Sequence, residues 1–565
     1  MTPSTHFTAG NTPDAPRSDL PDLLDALAAD LCGIGYTVDG VAELLGEAAH
    51  SALGRDQLVP ALIVTETARH GEPTTAALAA VVRFWLLAEP QPAATLDAAL
   101  PGIRTAGLLE LGLVEPSAEG LIQAKVDLRP YGWDGTAGEG AQGEGAQGEA
   151  VQGEAAQRET AVSSGGAELW VASDLAAHQR PGVLRHDHVL GIGQASTTLV
   201  QVTARRHVAR ALDLGTGCGI QTFHLLHHAE HVTATDISDR ALAFTRFNLL
   251  LNASPLHLDP ADLEARVSLR RGSLLDPVAG EEFELVVSNP PFVITPRSQG
   301  EAAADQFTYR DGGLPGDDIV AALVRALPAV LAPGGTAQLL GNWEIPAGAA
   351  WDERPQRWAG PDADAWFIQR EQVSPEQYAE TWLQDASEAR DRRLYQDSYA
   401  AYLDDFDSRN VEAIGFGMIW LRRPAAGSTP VLRRFEEITY PIEQPVGPHL
   451  GAAVERADWL AAHDLAAAHL LVAEDVTEER HQRPGAEHPG VILLRQGAGL
   501  RRTNLLSTEL AGFVSACDGD LSVGQIIGAL EALLGGGEDW DGATFRAGLL
   551  TEVGNLVRDG FLLPA

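Results

Sequence analysis

Three short runs between Ala209 and Phe292 combine residue types and spacings that could do chemistry. The first is Asp213-Leu214-Gly215-Thr216-Gly217-Cys218-Gly219, which ends an apolar, strand-like stretch and leads into a helical pattern from Ile220 to His228. Its three glycines let the backbone turn sharply and approach a ligand closely where a helix begins. A dinucleotide-binding fingerprint needs its third glycine three places after the second. Ile220 stands there instead, which disfavours a nicotinamide oxidoreductase. The second run is Asp236-Ile237, closing another apolar strand nineteen residues after Gly217. A carboxylate at that place can accept hydrogen bonds from both hydroxyls of a ribose. The third is Asn289-Pro290-Pro291-Phe292, delivered by the apolar strand Phe283 to Val287.

An acidic residue followed by Gly-x-Gly-x-Gly resembles the first motif of class I S-adenosylmethionine-dependent methyltransferases. Asn-Pro-Pro-Phe resembles the motif of those members that methylate planar nitrogens, the HemK/PrmC-like enzymes with a "methyltransferase small" domain. The resemblance implies S-adenosylmethionine as cofactor, held by Asp213, Gly215, Thr216, Gly217 and Gly219 at its methionine part. It places Asp236 and Ile237 at the ribose, Ser273 and Leu274 near the adenine, and Asn289 beside the methyl group. Catalysis then falls to Asn289, Pro290, Pro291 and Phe292. An amide or exocyclic amine nitrogen has a delocalised lone pair and is a poor nucleophile. The Asn289 side-chain oxygen and the Pro290 carbonyl can bind its two N–H groups, draw it towards tetrahedral geometry and stabilise its developing charge. The prolines stiffen the loop, and Phe292 offers a face for stacking. HemK-type enzymes also carry an Arg-Pro-x-Thr-Glu run upstream; the corresponding region here, Gly191 to Thr198, lacks its arginine and glutamate. The implied function is N-methylation of a protein glutamine amide or of a nucleobase amine in RNA or DNA, with the translation machinery as the expected partner. A small-molecule methyltransferase and a non-catalytic cofactor-binding regulator are the alternatives.

Strands and helices alternate from Glu168 to Pro424, which predicts an α/β domain of Rossmann-like type with a mostly parallel, seven-stranded sheet. Within it, Ala241 to Asn252 reads as a helix ending in asparagines. Tyr309-Arg310-Asp311-Gly312-Gly313 is a loop that could close over substrate, and a strand pair around Ile414 to Leu421 completes the sheet. Residues 1–19 read as a disordered tail. Residues 20–134 show helical periodicity followed by a hairpin, resembling a winged helix. Residues 135–167 hold a Gly-Glu-x-x-Gln repeat with almost no apolar anchors, read as a tether between folded units with a reach of roughly 30 Å. Residues 425–498 read as a connecting region. The tail 499–565 reads as three helices and an end strand, again winged-helix-like, punctuated by a Ser522 cap and breaks at Gly535 and Gly560.

Composition narrows the partners. The 565 residues carry 40 basic and 78 acidic side chains, a formal charge of −38, and only one lysine, Lys125. Such a chain is a poor polyanion binder as a whole, because nucleic-acid affinity rests on neutralising phosphates. The pairs Arg205-Arg206, Arg270-Arg271, Arg392-Arg393 and Arg433-Arg434 would have to converge on one cleft to reverse that. Three scattered cysteines imply no disulfide framework, and Cys218 reads as a small filler of the glycine loop. His224, His227, His228 and His231 lack a completing ligand set and read as surface residues, so no metal is expected. A polar start and the absence of a long apolar run point to a cytoplasmic protein without a membrane anchor.

Overall fold

The computed structural model describes residues 7, 12–55, 57–117, 120–133, 167–176, 179, 185–296, 313–385, 392–535 and 540–565. The chain opens with α1 (Pro21–Gly33), α2 (Val38–Leu53), α3 (Val59–Ala68), α4 (Pro73–Trp85), α5 (Ala93–Ala99) and α6 (Arg104–Glu110). Prolines stand in the first turns of α1, α3 and α4, where a missing N–H costs nothing. Leu24, Leu27 and Leu31 line the buried face of α1, and Phe84 and Trp85 close α4 into the same helical layer. A short ribbon follows, β1 (Val114–Pro116) antiparallel to β2 (Ile122–Ala124), with Gln91 bridging Ile122.

The next strand departs from the expected organisation. β3 (Asp127–Trp133) pairs antiparallel with β4 (Ala167–Ser173), bringing Trp133 opposite Ala167. The repeat, 138–157, lies outside the described residues, but its flanks are held side by side. The β3–β4 pairing thus spans the repeat; the boundary expected at 168 falls within β4, and the one expected at 134 lies outside the described residues.

The central domain runs through α7 (Gln194–Val202), β5 (Val208–Leu214), α8 (Ile220–Leu225), β6 (Ala229–Asp236), α9 (Asp239–Leu251), β7 (Val267–Arg271) and β8 (Phe283–Ser288). It continues with α10 (Asp318–Ala326), β9 (Leu331–Pro346), α11 (Glu353–Trp358), β10 (Asp364–Val373), α12 (Pro375–Asp385), α13 (Arg392–Ser408), β11 (Val411–Arg422) and β12 (Arg433–Glu437). The strands form one sheet in the order β12-β10-β11-β9-β8-β5-β6-β7. β7, β6, β5, β8 and β9 are parallel, and β11 runs antiparallel to both neighbours. The seven strands expected are present, and β12 adds an eighth at the edge. From β5 the chain winds outward through β6 and β7, then returns to place β8 on the other side of β5. That reversal opens a crevice at the carboxyl ends of β5 and β8, where open α/β sheets bind ligands.

Side-chain amides fasten the β3–β4 hairpin to this domain. Asn248 accepts from the Ala172 N–H at 2.8 Å and donates to the Ala172 carbonyl at 2.9 Å. Asn252 does the same for Trp170, at 2.8 and 2.7 Å. Four helical residues rise about 6 Å and two strand residues about 6.6 Å, so asparagines one turn apart match alternate residues of a strand edge. Residues 14 to 18 are fastened too, although they fall within the expected disordered tail; residues 1–6 and 8–11 of that tail lie outside the described residues. Arg240 donates to the Asp14 carbonyl at 2.9 Å, and Arg246 to the Ser18 carbonyl at 2.8 Å. Two guanidinium groups on α9, that of Arg240 buried and that of Arg246 half-buried, thus supply donors that the sequence pattern did not reveal.

A second compact unit comprises residues 201–205, 430–433 and 438–565. It contains α14 (Gly447–Ala462), β13 (His469–Val472), β14 (Val476–His481), β15 (Val491–Gln496), β16 (Thr503–Leu506), α15 (Thr508–Val514), β17 (Asp518–Ser522), α16 (Val523–Leu534), α17 (Gly542–Asp559) and β18 (Leu562–Pro564). The three helices and end strand are there, with Ser522 and Gln525 forming a capping box and Gly560 a left-handed cap. The boundary expected at 499 does not divide the packing. β13 sits between β17 and β18, and Leu470, Ile492 and Leu494 share a core with Phe513, Ile527 and Leu556. Gly447 lies so close to the Thr203 carbonyl that any side chain would collide with it. Among the described residues no helix is long and apolar enough to cross a membrane.

Asn248→Ala would leave the Ala172 N–H and two buried carbonyls unpaired, since the same amide also donates to Cys218 at 2.9 Å. The expected cost is roughly 2–4 kcal/mol of unfolding free energy, read from the shift in a urea denaturation midpoint.

Candidate active site

The glycine loop turns out of β5 by folding onto β6. The N–H groups of Gly215 and Thr216 both donate to the Thr235 carbonyl at 2.9 Å. Gly215, Gly217 and Gly219 all have positive φ, at 79°, 58° and 96°. A Cβ at Gly217 would meet nothing within 4 Å, so this part of the loop faces open space, whereas one at Gly219 would crowd Thr245 at 3.2 Å. Asp213, only 1% exposed, sits beneath the loop. One of its oxygens accepts from Thr216 at 2.8 Å and Thr222 at 2.6 Å. The other, Oδ1, is buried without a hydrogen-bond partner. Desolvation pushes its pKa up to about 6, against the pull of the two threonines.

Asp236 ends β6 and is tied to the same loop. Its carboxylate accepts from the Ser238 N–H at 2.8 Å and the Gly217 N–H at 3.1 Å. Desolvation raises its pKa as well. Ile237 is half exposed beside it. The Gly272 N–H donates to the Asp236 carbonyl at 3.0 Å, which holds the following turn next to the acid. There Ser273 is exposed, and Leu274, at a positive φ of 46°, rests on the sheet's core.

The Asn-Pro-Pro-Phe run enters from β8. Ser288 pairs with Leu214 across the parallel ladder, and its hydroxyl donates to the Leu214 carbonyl at 2.7 Å. The Asn289 carbonyl consequently lies 4.0 Å from where a Cβ on Gly215 would stand. Asn289 Oδ1 is buried and has no hydrogen-bond partner among the described residues. The Pro290 carbonyl already accepts the Phe292 N–H at 2.8 Å, so one lone pair shapes the turn and one is left. Phe292 packs on the same core cluster as Leu274. The structure therefore brings Asp213, the three glycines, Asp236, Asn289 and Phe292 around one crevice, with Ile237, Ser273 and Leu274 on its β6–β7 side. Tyr309 to Gly312 lies outside the described residues.

Two residues escaped the sequence reading. The Tyr378 hydroxyl, on α12, accepts from the Ile294 N–H at 2.8 Å and from Asn342 at 2.9 Å. Nothing in local spacing links a helix 84 positions downstream to this loop, and only the β9–β11 pairing brings the two together.

Other candidates resolve differently. Cys218 is buried, and desolvation pushes its pKa up to about 12, which leaves no thiolate for nucleophilic work. His224 corrects the expectation of surface histidines. It is 6% exposed, and its Nε2 meets the Tyr131 hydroxyl at 2.6 Å, because the β3 strand covers the helix end that the sequence pattern left open. Among the described residues no group of three or more His, Cys, Asp or Glu side chains could hold a metal ion. Three arginines of the pairs singled out above are held by carboxylates: Arg270 by Glu281, Arg271 by Asp239 and Arg434 by Glu436.

The crevice suits S-adenosylmethionine. A cationic amino group would find an unpaired carboxylate oxygen at Asp213, a ribose would find Asp236, and the open glycine loop leaves room for backbone contact. Comparison with known proteins agrees. Residues 174–352 match the model of the methyltransferase small domain, and residues 33–124 match a domain of unknown function, DUF7059. Over 186 residues the chain is 32% identical to a ribosomal protein uL3 glutamine methyltransferase of Bradyrhizobium diazoefficiens, covering 31% of this chain and 54% of that protein. Over 165 residues it is 32% identical to a release factor glutamine methyltransferase of Geobacter sulfurreducens, covering 27% and 51%. A ribosomal RNA small subunit methyltransferase C of Alcanivorax borkumensis is 26% identical over 189 residues, covering 33% and 48%. The chain thus spans about half the length of these curated relatives. Residues 174–352 thus match the methyltransferase small domain, on a sheet of the class I S-adenosylmethionine-dependent methyltransferase type.

Proposed function

We propose that this protein is an S-adenosylmethionine-dependent N-methyltransferase acting on a planar nitrogen, and that its acceptor is a glutamine side-chain amide of a protein of the translation machinery. The observation that carries the reading is the unpaired, buried Oδ1 of Asn289, beside the glycine loop. A buried acceptor without a donor is costly to keep unless a ligand supplies one. The cofactor, when bound, supplies an electrophilic sulfonium methyl. Asn289 Oδ1 accepts one N–H of the acceptor nitrogen, and the free lone pair of the Pro290 carbonyl accepts the other. These two bonds work against the delocalisation of the nitrogen lone pair and stabilise its positive charge as the N–C bond forms and the methyl–sulfur bond breaks, its electron pair staying on sulfur. One N–H proton is then released to solvent. Phe292 supplies the face for the planar group, and Asp213 and Asp236 anchor the cofactor's ammonium and ribose.

Charge favours a protein acceptor over RNA or DNA. The α12–α13 pair, which packs against the segment leaving the motif, carries Glu376, Glu380, Asp397, Asp404, Asp405 and Asp407 against Arg392, Arg393 and Arg409. Arg409 is itself bound to Glu344 and Asp405. Such a surface repels phosphates and suits a basic polypeptide. The similarity to two protein glutamine methyltransferases supports the same choice, and the rRNA relative makes a nucleobase the competing outcome.

Methyl-labelled S-adenosylmethionine, added with the purified protein to a lysate lacking it, is expected to give label removed by protease and resistant to RNase and DNase. Nuclease-sensitive label would transfer the acceptor to a nucleobase. Asn289→Ala should lower the rate by about 10²- to 10³-fold with cofactor affinity unchanged; an undiminished rate would remove Asn289 from the chemistry.

Asp213 gives a pH signature. Because its pKa of about 6 lies above that of an exposed aspartate, the contribution of Asp213 to the stability of the ligand-free protein should fall as pH rises from about 4 to about 6, then level off, read as the difference between wild type and Asp213→Asn. Cofactor binding needs the ionised form, so affinity should be about tenfold weaker at pH 5 than at pH 7.5 by calorimetry. Asp213→Asn should flatten both dependences.

A further inference from the structure

The run from Asn289 to Ile294 is held at its two ends. Upstream, β8 is locked to β5, with the Ser288 hydroxyl on the Leu214 carbonyl. Between the ends, Pro290 and Pro291 have no N–H, and the Phe292 N–H is used within the turn. Downstream, among the described residues, the hydrogen bond that ties the run to the rest of the fold is Ile294 N–H to the Tyr378 hydroxyl, at 2.8 Å.

That hydroxyl is a firm anchor. Tyr378 is 1% exposed, stacked on Phe416 at 5.7 Å and edge-on to Phe406 at 5.5 Å. It reaches the sheet through Asn342, fully buried on β9, which pairs with β8 at Leu339 and Ser288. The Asn342 Oδ1 has no hydrogen-bond partner. Turning that amide over keeps the contact and gives the Tyr378 proton an acceptor.

We propose that Tyr378 is the positioning residue of the acceptor loop: its hydroxyl, shared between the Ile294 amide and Asn342, sets where Asn289 and Pro290 stand and so links the α12–α13 pair to the chemistry. The proposal rests on the reading of those two groups as the acceptors of the planar nitrogen. Tyr378 touches neither substrate nor cofactor in this scheme. Its effect comes from alignment, to which transfer rates are steeply sensitive.

Tyr378→Phe removes the hydroxyl and keeps the ring. In the label-transfer assay, with soluble protein from cells lacking the gene as acceptor, the rate at saturating cofactor should fall roughly 10- to 100-fold. The cofactor dissociation constant should stay within about twofold, as only the acceptor side is displaced. Hydrogen exchange should quicken in the peptide spanning 288–296 and stay unchanged in the peptide spanning 213–221. Tyr36→Phe is the matched control. It also deletes a fully buried tyrosine hydroxyl, bonded to the Leu128 carbonyl at 2.6 Å, and should lower Tm without changing the rate. Wild-type rate and exchange in Tyr378→Phe would overturn the proposal, as would an equal loss of rate in Tyr36→Phe. If the wild-type protein transfers no label at all, the functional reading fails, and exchange at 288–296 still decides whether Tyr378 holds the loop.

Discussion

Everything in the candidate site follows from one pairing, that of β5 with β8 at the point where the strand order reverses. Parallel strands end at the same edge of a sheet, so two loops more than seventy residues apart in sequence must emerge side by side. The glycine loop leaves β5 at a φ of 79° at Gly215, a conformation that favours glycine, and the Asn289 carbonyl lies within van der Waals reach of that turn. Burial then does the electrostatic work. With Asp213 sealed beneath the loop and Asn289 Oδ1 left without a donor, the crevice holds buried acceptor oxygens that no described protein group satisfies. Such a site is tuned to a ligand rich in N–H and O–H groups and carrying positive charge.

The rest of the first unit works to keep that crevice fixed. The asparagines of α9 grip β4, arginines of the same helix grip residues 14–18, and Thr245, also on α9, donates to the Gly217 carbonyl at 2.9 Å. One helix therefore carries the glycine loop on its face and the N-terminal region on its outer side. A change in either is felt through the same backbone.

How much of this was legible in the sequence depends on the range of the interactions involved. The glycine loop, Asp236 and Asn289 could be read because strand ends and tight turns impose residue types locally, and a mostly parallel sheet follows from alternating strands and helices. Tyr378, Asn342 and the Asn248–Asn252 grip could not be assigned. Their hydrogen bonds span between 36 and 84 residues, and no local pattern distinguishes a buried tyrosine that accepts an amide from one that merely packs. His224 was misjudged for the same reason, since its partner Tyr131 lies 93 positions away. The repeat was read as a tether because composition describes a segment and not what its flanks do. β3 and β4 look like independent edge strands until they are seen paired.

The make-up of the second unit has a consequence for synthesis. Gln201 to Arg205 belong to it, yet they precede the whole central sheet in the chain, and Gly447 closes on Thr203 only after some 240 more residues have been made. At translation rates of roughly 5–20 residues per second, that short stretch waits about 10–50 seconds for its partners. During the wait the sheet's strands are emerging and pairing around it. The stretch must stay out of that pairing, and a chain cut at Glu437 would carry half of an interface whose other half was never translated.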